Sequence, residues 1–255
     1  MLRRAMTDVD VKLGLQIIRE RIQKACLLRE PELQCIEPTL VAVSKTKPVE
    51  MLINAYDADQ RHFGENYVKE LFEKGNDSKI LEHCKDIKWH FIGHLQRNKI
   101  NKVIAVPGLH MIQTIDSEKL AIAVNTAWAK HSPSDQKLKI MLQVNTSQEE
   151  EKNGMHPSEV VEVAKNVLEK CPNLELCGLM TIGAYGYDIT LGPNPDFLCL
   201  IECRKALSKE LNIDWKKIHL SMGMSDDFEQ AVELGSTIIR VGSSIFGYRP
   251  KKTTV

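Results

Sequence analysis

Eight short apolar runs, each followed by a stretch with helical spacing, succeed one another between residues 39 and 247. This alternation constrains the fold more than any other feature. A strand, a helix and a further strand make the parallel βαβ unit, and eight such units close into a (β/α)8 barrel of roughly 250 residues. The runs are residues 40–43, 62–66, 87–93, 109–115, 138–144, 174–182, 218–222 and 238–245. Helical patterns fall between them over 49–58, 67–74, 197–211 and 226–234, with a short basic helix near Gln96, one capped by Asp116 or Ser117 that runs through Trp128, and one opened by Pro157. An open doubly wound sheet is the rival, but its Gly-x-Gly-x-x-Gly after the first strand is absent. The expected fold is therefore α/β: a single barrel domain over 1–255, with the barrel proper at about 39–247 and an extra amphipathic helix over 9–28. A polar loop is expected over 131–136 and a polar tail after Pro250.

Residues 39–48, Thr-Leu-Val-Ala-Val-Ser-Lys-Thr-Lys-Pro, turn from a β-branched core strand to a polar end. Lys45 sits at the carboxyl end of that strand, where barrels place their chemistry. An amine held against an apolar strand end loses hydration, which disfavours its ammonium form and exposes a nucleophile that attacks aldehydes. From this stretch alone, a strand-ending lysine that simply reaches solvent fits equally well. Lys47, two residues on, shares the parity of Lys45 and is a minor rival.

Arg240 interrupts the apolar run Ile238-Ile239-Arg240-Val241, where an unpaired guanidinium would be too costly. It needs a partner, either a carboxylate such as Glu65 or an acceptor on a ligand in the barrel mouth. The loops after the seventh and eighth strands of barrels often hold phosphate. Here they read Ser221-Met222-Gly223-Met224-Ser225 and Gly242-Ser243-Ser244, with glycines for close backbone approach and hydroxyls to donate. Ser225 fits equally as a helix cap, and Asp226 and Asp227 beside it would repel an anion. Further polar strand ends are Asn66, His90, His94 and Asn145. His90 and His94 share parity, but their apolar setting argues against a zinc pair, so no metal is expected.

Lys plus Arg and Asp plus Glu both number 34, so no broad electrostatic capture of nucleic acid is expected. No apolar run is long enough to cross a bilayer, and the basic Met-Leu-Arg-Arg start leads directly to Asp8 and Asp10 without a signal-peptide core. Seven cysteines, an odd number without a Cys-x-x-Cys pair, indicate neither a disulfide framework nor a zinc knuckle. A cytoplasmic protein is expected, with a mitochondrial fraction compatible, and a monomer is preferred.

An aldehyde-seeking lysine, a phosphate cradle and a donor for a ring nitrogen are together what pyridoxal phosphate binding requires. Six ordered blocks then carry a resemblance over about 40–247: Ala42-Val43-Ser44-Lys45-Thr46-Lys47-Pro48, Phe63-Gly64-Glu65-Asn66-Tyr67, Trp89-His90-Phe91-Ile92-Gly93-His94-Leu95-Gln96, Gly178-Leu179-Met180, Ser221-Met222-Gly223-Met224-Ser225-Asp226-Asp227 and Arg240-Val241-Gly242-Ser243-Ser244-Ile245-Phe246-Gly247. The chain resembles the YggS/PROSC family of pyridoxal phosphate homeostasis proteins. The resemblance implies a barrel of the alanine racemase amino-terminal type, with pyridoxal 5'-phosphate as a Schiff base on Lys45. It further implies Ser225, Gly242 and Ser243 around the phosphate, Arg240 toward the pyridine nitrogen and Asn66 near the ring.

An arginine can only donate to an unprotonated ring nitrogen, which makes the cofactor a weak electron sink. Racemisation also needs a second base on the opposite face, which alanine racemases take from a separate carboxyl-terminal domain; none is expected here. The expected role is thus a non-enzymatic binding protein that stores, protects and supplies the cofactor to apoenzymes, with a racemase-like enzyme as the alternative. Lys152 and the irregular segment 183–195 could gate exchange, although both fit equally as solvated loops.

Overall fold

A computed structural model of the chain describes residues 9–131 and 136–248. The basic start, most of the polar loop expected over 131–136 and the tail after Pro250 lie outside the described residues.

The elements alternate as the pattern requires. Helix α1 (Val11–Leu27) is capped by Asp10, whose carboxylate accepts the Leu13 N–H, and it buries Val11, Leu15, Ile18, Ile22 and Ala25. There follow β1 (Thr39–Val43), α2 (Val49–Asp57), β2 (His62–Glu65), α3 (Val68–Gly75), α4 (Ser78–His83), β3 (Lys88–Phe91), α5 (Ile100–Ile104) and β4 (Leu109–Ile115). The second half runs α6 (Glu118–His131), β5 (Leu138–Gln143), α7 (Val160–Lys170), β6 (Leu174–Met180), α8 (Pro195–Leu211), β7 (His219–Ser221), α9 (Phe228–Glu233), β8 (Ile238–Val241) and α10 (Ser243–Phe246). Strands β1 to β8 pair in parallel, each with the next, and β8 pairs back onto β1 to close the barrel.

Alternation along each strand divides the core into two layers. Outward residues such as Leu40, Ala42, Phe63 and Ile239 pack beneath the helices, whereas Val41, Met111, Met141, Cys177, Met180 and Ile238 form a separate inner cluster. The same inward parity carries His90, Gln113, Ser221 and Arg240, so the barrel axis is partly polar although all four are buried.

Two segments differ from expectation. Residues 242–245 do not continue the eighth strand: Gly242 leaves the extended region at φ −121°, ψ −71°, and Ile245 and Phe246 are buried from α10 instead. Four residues are too few to cover the seam between β8 and β1, and α1 packs against α9, α10 and α2 on the outside of the barrel. Helix α4 was not foreseen; it is short, and its start is marked only by Asp77 accepting the Lys79 N–H.

Candidate functional site

At the carboxyl ends of the strands lies a cavity of about 580 Å³, and Lys45, Asn66, Ser225, Arg240, Gly242 and Ser243 all line it, together with Lys47. The residues singled out from four separate stretches of sequence thus meet around one space.

Lys45 is held by its neighbours. Ser44 donates its backbone N–H to Gly64 O at 3.0 Å and its hydroxyl to Glu65 Oε1 at 2.7 Å. On the other side, Thr46 takes a left-handed conformation at φ 65° and donates its N–H to Glu70 Oε1. Such a backbone costs about 1–3 kcal/mol in a residue other than glycine and persists only where its surroundings enforce it. The enforcing group is Lys74 on α3, whose Nζ donates at 2.7 Å to Ser44 O, Glu65 Oε1 and Glu70 Oε1. Burial pushes the Glu65 carboxyl above its ordinary value, with Lys74 and Ser44 pulling it back. This buried network fixes the turn from which Lys45 projects. Lys47 is tied elsewhere, with Nζ donating to Gly247 O at 2.7 Å and Tyr248 O at 3.3 Å, so it braces the turn after α10.

Arg240 is only 4% exposed. Its partner is not Glu65: one guanidinium nitrogen donates to Ser221 Oγ at 2.6 Å and another to Thr181 O at 2.7 Å. Burial pushes its pKa down to about 10, against the attraction of Asp227, which leaves it charged at neutral pH. Glu65 could not serve, because Lys74 and Ser44 already engage it from the other layer of the barrel. Asn66 presents a different feature. Its Oδ1 is buried with no hydrogen-bond partner, an acceptor whose cost is met only if a donor arrives from the cavity. Gly93 makes the placement possible, since a Cβ there would lie 1.8 Å from Asn66 O.

Across the cavity, Gly223 at φ +94° turns the chain after β7, and a Cβ on it would come within 2.5 Å of Ala231 Cβ. Asp227, feared as a repulsive charge, accepts the Met224 N–H at 2.6 Å and is thereby bound to the turn; exposed Asp226 still lines the cavity. Ser225 Oγ accepts the Gly242 N–H at 3.4 Å, which draws the two serine-rich loops together. The first amides of α10, at Ser243 and Ser244, have no carbonyl one turn back within the helix. Tyr185 and Tyr248, 95% and 85% exposed, stand at the cavity mouth.

The remaining polar strand ends go elsewhere. His94 faces Asp116 at 3.5 Å, whereas His90 lies inside the barrel against Gln113 and His62, so the two do not form a pair. Asn145 donates to Glu149 O and organises its own loop. Lys152 bridges Glu149 Oε1 at 2.6 Å and Gly183 O at 2.7 Å, tying the loops after β5 and β6. Ser44 and Ser221 stand in the sequence motifs without the bracing roles they take here, and Thr181 and Lys74 are not singled out there at all. The Glu70–Lys74 spacing on one helix face was the only available signal, and such pairs are usually solvated.

The sequence profile described as "Alanine racemase, N-terminal domain" matches residues 31–250. A human protein named "Pyridoxal phosphate homeostasis protein" is 53% identical over 242 residues, covering 95% of this chain and 88% of its own. Among solved structures, PipY of Synechococcus elongatus, determined with PLP bound, superposes with a TM-score of 0.75 at 28% identity, covering 93% of this chain and 100% of PipY. An alanine racemase from Clostridium difficile shares the fold at 15% identity and a TM-score of 0.65, covering 95% of this chain and 57% of its own.

Proposed function

Because the chain belongs to the alanine racemase amino-terminal-domain family, and within it to the pyridoxal phosphate homeostasis proteins, we propose that the rim cavity binds pyridoxal 5'-phosphate and that the protein stores, protects and supplies it to apoenzymes. The observation that carries this reading is the meeting of Lys45, Arg240 and the Ser225 and Gly242–Ser243 loops around one cavity. The residues fit the group on their own terms. Asn66 Oδ1 is a buried acceptor lacking a donor, Arg240 has donors beyond the two that Ser221 and Thr181 engage, and α10 opens with amides that an anion can take up.

When bound, the cofactor would supply an aldehyde, and Lys45 would be the amine that holds it reversibly. Arg240 holds its own proton, so toward a ring nitrogen it would donate without protonating it, which suits retention better than carbanion chemistry. The Ser44–Glu65–Lys74 network keeps Lys45 in place while the mouth stays open for exchange.

Purified protein is expected to be yellow, and borohydride to fix the cofactor on a peptide containing Lys45, with Lys45→Ala losing both colour and adduct. A colourless wild-type chain, or an adduct on Lys47, would overturn the assignment. Carriage is tested by apoenzyme reactivation: transfer must exceed that from free cofactor when free amines compete. Turnover of an amino-acid panel at enzymic rates would favour the racemase-like alternative.

A further inference from the structure

At the opposite end of the barrel, three histidines from consecutive strands converge: His62 opens β2, His90 lies in β3 and His110 near the start of β4. Their ring centroids form a nearly equilateral triangle, 5.1, 5.3 and 5.2 Å on a side. Three imidazoles on one tetrahedral ion, each nitrogen at about 2.0–2.1 Å, hold their ring centres about 5.2 Å apart. One nitrogen from each ring lies within 4.8 Å of the other two. A tetrahedral site needs about 3.3 Å between nitrogens, a closure that small side-chain rotations supply. The rings open on a second cavity of about 220 Å³, distinct from the rim and lined also by Lys139, Glu175, Cys177 and His219.

Strand parity alone would not bring these rings together. The β3–β4 register shifts between Trp89, paired with Leu109, and His90, paired with Met111, so His110 is the extra residue of a bulge. Bulges re-aim side chains, and this one swings His110 onto the side of His90. Among the described residues, no hydrogen bond reaches a ring nitrogen of His110. His90, 1% exposed, is oriented from behind: its Nδ1 meets Gln113 Nε2 at 2.8 Å and its Nε2 meets His62 Nδ1 at 2.8 Å. The Gln113 amide fixes the His90 ring with Nε2 toward the other imidazoles; a supported metal ligand donates from its second nitrogen, which the same amide accepts once its oxygen is turned to Nδ1.

We propose that His62, His90 and His110 form a site for a divalent late first-row transition metal of the zinc type, with the fourth position open to water or Glu175. Binding needs no net proton loss. The proton on His90 Nε2, shared with His62 Nδ1, moves to His90 Nδ1, and Gln113 turns its amide oxygen to accept it there. Lys139 and Lys217 on the cavity wall oppose a bare dication but favour a hydroxide in its fourth position.

The test uses the full chain, freed of metal by chelator, dialysed and titrated with zinc chloride alone. One equivalent is expected to bind, and His62→Phe and His110→Phe are each expected to weaken it by at least about 100-fold, the upper range for loss of a mere supporting contact. Thermal melts check that both variants fold; zinc should raise the wild-type midpoint and leave theirs unchanged. Cobalt(II) should give visible d–d absorption in the wild type that both variants lack. Lys45→Ala should bind zinc like the wild type, so metal uptake is read independently of the cofactor. No uptake by the wild type, or equal uptake by wild type and both variants, overturns the site.

Discussion

The two ends of the barrel hold polar groups on opposite terms. At the rim, Lys45, Asn66, Arg240 and the Ser225 loop lie in or after β1, β2, β8 and β7, neighbours in the closed barrel that lie far apart in sequence, and the turn carrying Lys45 and the Arg240 guanidinium are held by groups that do not line the cavity. At the floor, His62, His90 and His110 come from adjacent strands and hold one another. Rim geometry therefore depends on remote bracing, and floor geometry on local register. The two are joined along the axis by a hydrogen-bonded column: Arg240 donates to Ser221 Oγ, which donates to Gln113 Oε1, and Gln113 reaches His90 and through it His62.

The largest expected effect tests the remote bracing. Lys74→Met removes one partner of a buried ion pair and leaves Glu65, 0% exposed, with its charge uncompensated. Breaking such a pair costs about 3–5 kcal/mol. Ser44 and Thr46 lose their common anchor, so borohydride trapping on Lys45 should fall with stability in a denaturant melt, while zinc uptake at the floor persists in the folded fraction. A Lys74→Met chain as stable as the wild type, or with trapping unchanged, would show that the turn holds itself.

A pH titration sharpens the contrast next. Burial pushes His62 and His110 down to about 4 and His90 well below its ordinary value, with Lys88 and Lys139 acting in the same direction and Glu175 opposing them at His110. His219, in the same cavity, is lowered too. The unfolded chain therefore binds more protons than the folded one between about pH 6.5 and 4, so stability is full above the unfolded value and is lost as pH falls toward 4. The metal-free double variant His62→Phe/His110→Phe should show a visibly shallower loss over that window in thermal melts. Arg240, still charged there, contributes none of the slope. Identical slopes would break the asymmetry.

Why the rim was legible and the floor was not follows from the same contrast. Lys45, Arg240 and Ser225 announce themselves because polar residues at the ends of apolar strands, or inside one, violate the local pattern, and barrel topology places all strand ends together. The floor depends on a one-residue bulge at His110, and parity from sequence assigns that side chain to the wrong face. The sequence offers His90 only the shared parity of His94, four residues on, and argues against that pair; β3 ends at Phe91, and His94 leaves with the loop toward Asp116. The same limit explains α10: the run to Ile245 reads as strand because nothing in its apolar residues reveals that Gly242 has already turned the chain.

Gln113→Met carries the smallest expected effect and bears on both ends at once. It keeps the volume but removes the acceptor for Ser221 Oγ and the partner of His90 Nδ1. Losing a buried partner costs about 1–3 kcal/mol, here toward the lower end because Arg240 still donates to Ser221. At the floor, His90 loses the amide that sets its tautomer, and zinc affinity should fall about 10–100-fold. At the rim, Arg240 retains Thr181 O, so cofactor affinity should change by less than about 10-fold, the equivalent of about 1.4 kcal/mol. Parallel titrations of one protein preparation with zinc and with pyridoxal phosphate measure both. Equal losses at the two ends would mean that the column sets rim and floor together, and that bracing of the rim from outside the barrel counts for less than the axis running through it.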